Sequence, residues 1–207
     1  MHEFFSIFPC PVYRGKEYVI GKNEEEEFKK IVELYGMHKN TGNLTSDNSN
    51  ILGSKKLKNL KQYCKAQVDI YAKEVISPKE ELDFYITQSW LNVTQPGGFH
   101  HEHWHQNSLI SGVFYVNVQE GDDIMFNDPN VMIKTAIKIP PKEHNLWNSA
   151  QWFFPVENNL LMLFPSWLHH GVNINEKATT DRISFSFNTF VRGTLGDKKS
   201  LNQLILK

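Results

Sequence analysis

A chain of 207 residues, 40% of them apolar, has enough material to bury the core of one domain of ordinary size. Its net charge of -1 and pI near 6.8 leave no global basic field for nucleic acid or an anionic membrane, so the expected partner is a small molecule or a protein side chain. Cys10 and Cys64 are far apart and lack a CxxC spacing, which argues against a disulfide framework or a zinc-thiolate site and fits a reducing cytoplasm.

The opening MHEFFSIFPCPVY is short, carries Pro9 and Pro11 and has no basic stretch before it, so it does not read as a signal peptide; no run approaches the ~20 apolar residues of a membrane span. Asn23 is a candidate cap for a helix running to Tyr35, with Glu24 to Glu27 favoured by the helix dipole and Gly36 marking the end. Residues 39–53 read as a polar loop. A second helix is expected from Ser54 to Val75, because Leu57, Leu60, Cys64, Val68, Tyr71 and Val75 recur at three- and four-residue spacing; Ser77-Pro78 stops it.

From Leu82 the texture changes to short runs of Phe, Tyr, Val and Ile between Gly, Pro, Asn and Asp. Strands are expected near 82–94, 99–105, 109–118, 123–126, 131–139, 152–156, 160–164, 168–174 and 182–191. The predicted fold is mainly β with N-terminal helices, a jelly roll or cupin-like barrel, arranged as one domain over 1–207: a helical support (1–80), a β core (82–192) and a peripheral C-terminal tail (193–207). Residues 140–151 read as a loop over the barrel mouth.

Four of the nine histidines, His100, His101, His103 and His105, fall within six positions, and His169 and His170 form a second pair. On a regular strand His101, His103 and His105 share one face while His100 and Glu102 take the other, and only one of His169 and His170 can join them. Two imidazoles two residues apart can converge on one metal ion when a third ligand comes from elsewhere. In the last long strand Arg182, Ser184, Ser186 and Asn188 share a face opposite Ile183, Phe185 and Phe187. Arg182 is one of three arginines against nineteen lysines, and beside a metal its fork suits a carboxylate.

The segments SWLNVTQPGGFHHEHWHQNSLISGVFYV, MFNDP, LLMLFPSWLHHGVNIN and DRISFSFN together resemble the iron(II) and 2-oxoglutarate (2OG) dependent oxygenases, in particular a small group with a prolyl-hydroxylase-like double-stranded β-helix. The resemblance covers Trp90 to Asn188. It implies iron ligands at His103, His105 and His170, and 2OG bound through Arg182 with Ser184 and Tyr115 assisting. It also implies Fe(II), 2OG and O2 as cofactors, and a dioxygenase that hydroxylates an unactivated C–H with release of succinate and CO2. His105 stands where such proteins usually carry an acid; a second register, His100-His101-Glu102, offers Glu102 for that place. Asn92, Asn188, Trp147 and Trp152 are candidate cavity or lid residues, the loop 130–151 is expected to set substrate choice, and a homodimer is the base-rate expectation.

Two other readings stay open on these residues. One is a cupin-type three-histidine dioxygenase or isomerase that uses no 2OG, although QNSLI follows His105 where the cupin motif has a glutamate. The other is a non-catalytic jelly-roll binding module.

Overall fold

The computed structural model describes residues 2–34, 36–131 and 136–207. Two α-helices lie in the N-terminal part of the described residues, α1 (Lys22–Leu34) and α2 (Lys58–Tyr71). Gly21 rather than Asn23 caps α1: its carbonyl accepts from the Glu24 and Glu25 amides, and Glu24 reaches back to accept from the Gly21 amide at 2.9 Å. Ser54 opens the second helix as expected, through a 3-10 turn (Lys55–Leu57) whose Lys56 amide it caps; its hydroxyl also donates to Glu27 of α1 at 2.7 Å. The apolar stripe from Leu57 to Tyr71 is buried, but Val75 is not. A wider π turn over Ala72–Ile76, closed by the Ser77 amide on the Ala72 carbonyl, swings Val75 off the stripe.

Twelve strands follow the pattern of short β runs with three additions. The expected loop 39–53 instead contains half of a hairpin, β2 (Met37–Lys39) with β3 (Leu44–Ser46), and a 3-10 turn at Ile51–Gly53. A two-residue β1 (Tyr13–Arg14) pairs at one sheet edge. The C-terminal segment is not detached: β12 (Leu204–Leu206) pairs with residues Gly193 to Leu195 at the end of the long last strand. The remaining strands are β4 (Asp83–Thr94), β5 (His100–His103), β6 (Ile110–Asn117), β7 (Asp123–Asn127), β8 (Gln151–Pro155), β9 (Leu161–Pro165), β10 (His170–Val172) and β11 (Arg182–Leu195). Of the strand expected at 131–139, residues 132–135 lie outside the described residues, and 136–139 are not strand.

Among the described residues the pairings between strands are antiparallel, with one isolated parallel bridge of Asn50 to Ser89. The larger sheet runs β1-β9-β6-β11-β4-β3-β2, with β12 on β11, and the smaller runs β5-β10-β7-β8. From β4 to β11 the chain alternates between them in jelly-roll fashion, crossing over everywhere except at the β7-β8 hairpin; this is the double-stranded β-helix. Among the described residues no ladder joins the two sheets into a closed barrel.

The helices cover the outer face of the larger sheet. Phe185 stacks between Phe28 of α1 (5.7 Å) and Phe114 of β6 (5.3 Å), and the same core takes in Leu60, Cys64 and Val68 of α2. Between the sheets lies a second apolar cluster with Ile124, Phe126, Met162, Phe164 and Leu168.

Gly112 of β6 pairs with Phe187 of β11, whose ring lies where a Cβ at 112 would stand. Gly112→Ala should therefore cost about 1–3 kcal/mol from overpacking. In thermal unfolding that is a midpoint lowered by roughly 2–12 °C; an unchanged midpoint would show that Phe187 has room to move aside.

Candidate functional site

The inner side of the smaller sheet departs from regular alternation at β5. His103 pairs with His170 and His100 with Val172, so three steps along β5 are matched to two along β10. This bulge carries one extra residue and puts His100 and His103 on the same side. Their rings stack at 4.5 Å, and His100 lines the cavity between the sheets, whereas His101 does not. The expectation that His100 faces away, with His101 sharing the face of His103, is overturned for that reason. His105 lies past the end of β5, held by its amide on the Ser166 carbonyl at 2.9 Å.

His103, His105 and His170 come together: their ligand-capable nitrogens lie within 4.8 Å of one another. The His103 Nδ1 meets the His101 carbonyl at 2.8 Å and the His170 Nδ1 meets the Leu168 carbonyl at 2.9 Å. A carbonyl can only accept, so each Nδ1 carries the proton and each Nε2 presents a lone pair, the arrangement usual for metal-binding imidazoles. Burial pushes the His103 and His170 pKa values down, and lowers that of His105 to about 4, so all three are neutral at pH 7. Neutral imidazoles with their second nitrogens tied to the backbone fit a divalent transition metal. Glu102 is directed elsewhere: it is half exposed and meets the His169 Nδ1 at 3.0 Å, while Trp104 stacks on the His169 ring at 4.5 Å.

The cavity beside this group is lined from both sheets, by Asn92 and Trp90 of β4, Tyr115 of β6 and the inward row Arg182, Ser184 and Ser186 of β11. Arg182 is only 6% exposed, and among the described residues no carboxylate lies within the 4.0 Å of an ion pair. Its one hydrogen bond is from Nη1 to the Asp123 carbonyl at 2.7 Å. Its guanidinium sits 5.3 Å from the centre of the Tyr115 ring. The Tyr115 hydroxyl is buried, with no well-formed hydrogen bond among the described residues; burial raises the phenol pKa, and the charge and the nearby side-chain donors of Arg182 oppose the rise. A buried guanidinium with spare donors next to an unsatisfied phenol is half of an anion site.

Comparison with known proteins agrees with this geometry. Residues 88–188, from β4 into β11 and just under half the chain, match the family described as "Putative 2OG-Fe(II) oxygenase". Over that span the chain is similar to that family. No curated protein matches it in sequence. Among solved structures it is similar to a Pseudomonas putida prolyl-4-hydroxylase (13% identity, 86% of this chain and 92% of that one, TM-score 0.56). It is also similar to HygX from Streptomyces hygroscopicus with nickel, 2OG and hygromycin B bound (12%, 87% and 82%, 0.55). A third is the α-ketoglutarate dependent epimerase SnoN from nogalamycin biosynthesis (9%, 87% and 78%, 0.61). At these identities the likeness establishes the fold.

Other sequence-predicted residues fall in three places. Asn92 lines the cavity and donates to Ser186 at 3.0 Å. Asn188 is outside it, accepting from Ser111, whose hydroxyl also meets Ser166. Trp147 and Trp152 line a separate, larger cavity. The cavity residue that sequence reasoning missed is His100; its signal was a register shift, which only the partner strand reveals.

The histidines also make the metal-free protein acid-sensitive. Burial lowers the pKa of His100 to about 3 and of His105 to about 4, against 6.5 for the ordinary group. Above 6.5 neither folded nor unfolded chain is protonated there. Below it the unfolded chain takes up protons that the folded one refuses, so stability falls with pH down to the folded values. The midpoint of the metal-free protein should drop by at least about 4 °C between pH 7 and 5.5, and His100→Gln should reduce the drop; a flat profile would contradict neutral burial.

Proposed function

We propose that the chain is an iron(II)- and 2OG-dependent dioxygenase that hydroxylates an unactivated C–H of a small molecule or a protein side chain. The observation that carries the reading is Arg182: a buried cation with no carboxylate in ion-pair contact among the described residues, in one cavity with three neutral histidines, two of them tied by a ring nitrogen to the backbone. A buried charge needs a counter-ion, and an acid that also reaches the metal supplies one.

On this reading His103, His105 and His170 hold the iron, and Arg182, Ser184 and Tyr115 hold the far carboxylate of 2OG. Three histidine ligands would leave an iron(II) ion held there open to a small-molecule ligand such as 2OG. Bound there, iron(II) supplies the redox chemistry: 2OG and O2 become succinate and CO2, and the second oxygen atom enters the substrate C–H as a hydroxyl. Arg182 contributes charge-assisted hydrogen bonds with two-point geometry. The Tyr115 hydroxyl gains the partner it lacks, and Ser184, paired across β11 with both Tyr115 and Asn92, stands between them. Phe164 and Ile124 keep the walls apolar and limit bulk water. The carbonyls of residues 101 and 168 fix the ring orientations of His103 and His170 before the metal arrives.

Anaerobic titration with iron(II) and 2OG, followed by the visible charge-transfer band of the chelate, tests this directly. The wild type should bind both and form succinate in air. Arg182→Ala should retain metal but weaken 2OG by about a hundredfold, the loss expected when a buried hydrogen-bonded charge partner is truncated. His170→Ala should lose the metal and the band together. An unchanged 2OG affinity in Arg182→Ala would overturn the anion assignment, and full metal content in His170→Ala would overturn the metal site.

A further inference from the structure

A second cavity, of about 650 Å³, lies next to the histidine group at the edge of the smaller sheet. Register places it. Phe126 of β7 pairs with His170 on one side and Trp152 of β8 on the other, so His103, His170, Phe126 and Trp152 form one cross-strand row on the inner face. At a strand spacing of 4.7–4.9 Å, Trp152 stands about 10 Å from His170. The wall between cavity and histidines is one ring thick: Phe126, 6.2 Å from His170 by ring centres. Leu168, whose carbonyl fixes the His170 ring, lines the cavity with its side chain. Arg182 is at the other end of the barrel, where it bonds to the first residue of β7, whereas this cavity opens at the last.

The lining decides what fits. Phe126, Phe154, Leu168, Trp147 and Trp152 make the walls, and the segment 5–10 closes the outer side. Among the described residues Asp128 is the only charged one in the lining, which is otherwise aromatic, aliphatic or neutral polar. Asn127, Asn130 and Gln151 supply neutral hydrogen-bonding groups at the rim. The volume is that of a site for a drug-sized ligand, with chain on both sides rather than a flat face for a folded protein.

We infer that this cavity binds the substrate to be oxidised, and that the substrate is a mostly apolar, ring-bearing small molecule. The inference rests on the proposed function for the chemistry but not for the binding. Aromatic walls grip a ring by stacking and edge contacts, and the carboxamides at the rim orient its polar edge. Phe126 is the group that decides how far the ring reaches toward the metal.

N-Phenyl-1-naphthylamine, a neutral fluorophore of a phenyl and a naphthyl group, is the probe, used with 2OG and with manganese(II) in place of the reactive iron. The wild type should show saturable one-to-one fluorescence enhancement. Trp152→Ala, and Ala150→Phe as a variant that fills the cavity, should each weaken the probe tenfold or more while changing 2OG affinity less than twofold. Manganese should broaden the proton resonances of the bound probe, and zinc should not. Non-saturable binding, unaltered affinity in both variants, or no broadening would each overturn the inference. Absence of manganese and 2OG binding in the wild type would instead strike the proposed function, because the probe titration and both variants still judge the cavity without metal.

Discussion

The two faces of β11 are the constraint on which the rest depends. A strand must send alternate residues to opposite sides, and here the outer side is committed to Phe185 and Phe187 under the helices. The inner side must then receive Arg182, Ser184 and Ser186, whatever that costs in buried polarity. The helices do more than support the sheet: by fixing the apolar row, they oblige a guanidinium to sit where water cannot solvate it. The neighbouring strands answer with Asn92 and Tyr115 directly across from Ser184.

The opposite end of the cavity is organised by backbone rather than by side-chain charge. The His103 and His170 rings are each oriented by a carbonyl two residues earlier, so a short local bond in two strands aims two nitrogens at one point. The pairing of His103 with His170 brings the strands into register there, and the bulge in β5 supplies the slack that lets His100 join the same side. Burial keeps the imidazoles uncharged, which removes the mutual repulsion that would otherwise push such a cluster apart.

Much of this was legible in the chain. The stripe Leu57 to Tyr71 and the alternation in DRISFSFN carry strong periods: the first marked the buried face of its helix, and the second separated the apolar row under the helices from a polar row that is buried as well. The triad and Arg182 came from an ordered motif rather than from spacing alone. Where reading failed, the cause was nonlocal. Alternation assigned His100 and His101 to the wrong sides because a bulge is a property of two strands, and one sequence shows only one of them. The hairpin of β2 and β3 was hidden in a polar stretch because its residues pair with β4 rather than follow a hydrophobic pattern. Asn188 kept the inward period but lies beside Ser111 and Ser166, where a buried hydroxyl network claims it.

The absence of an acid among the three histidines has a further consequence in charge accounting. A carboxylate ligand would neutralise half of a divalent ion's charge before any cosubstrate arrived. Here the ion would keep both its charges, and Arg182 adds a third at the far end of the same cavity. A dianion entering between them would meet two attractive ends, with the Asp123 carboxylate as a protein anion that also feels Arg182. By linkage, whatever the dianion gains from the ion, the ion gains from the dianion. The empty protein would hold either guest loosely and the pair tightly, so metal retention becomes a function of cosubstrate supply.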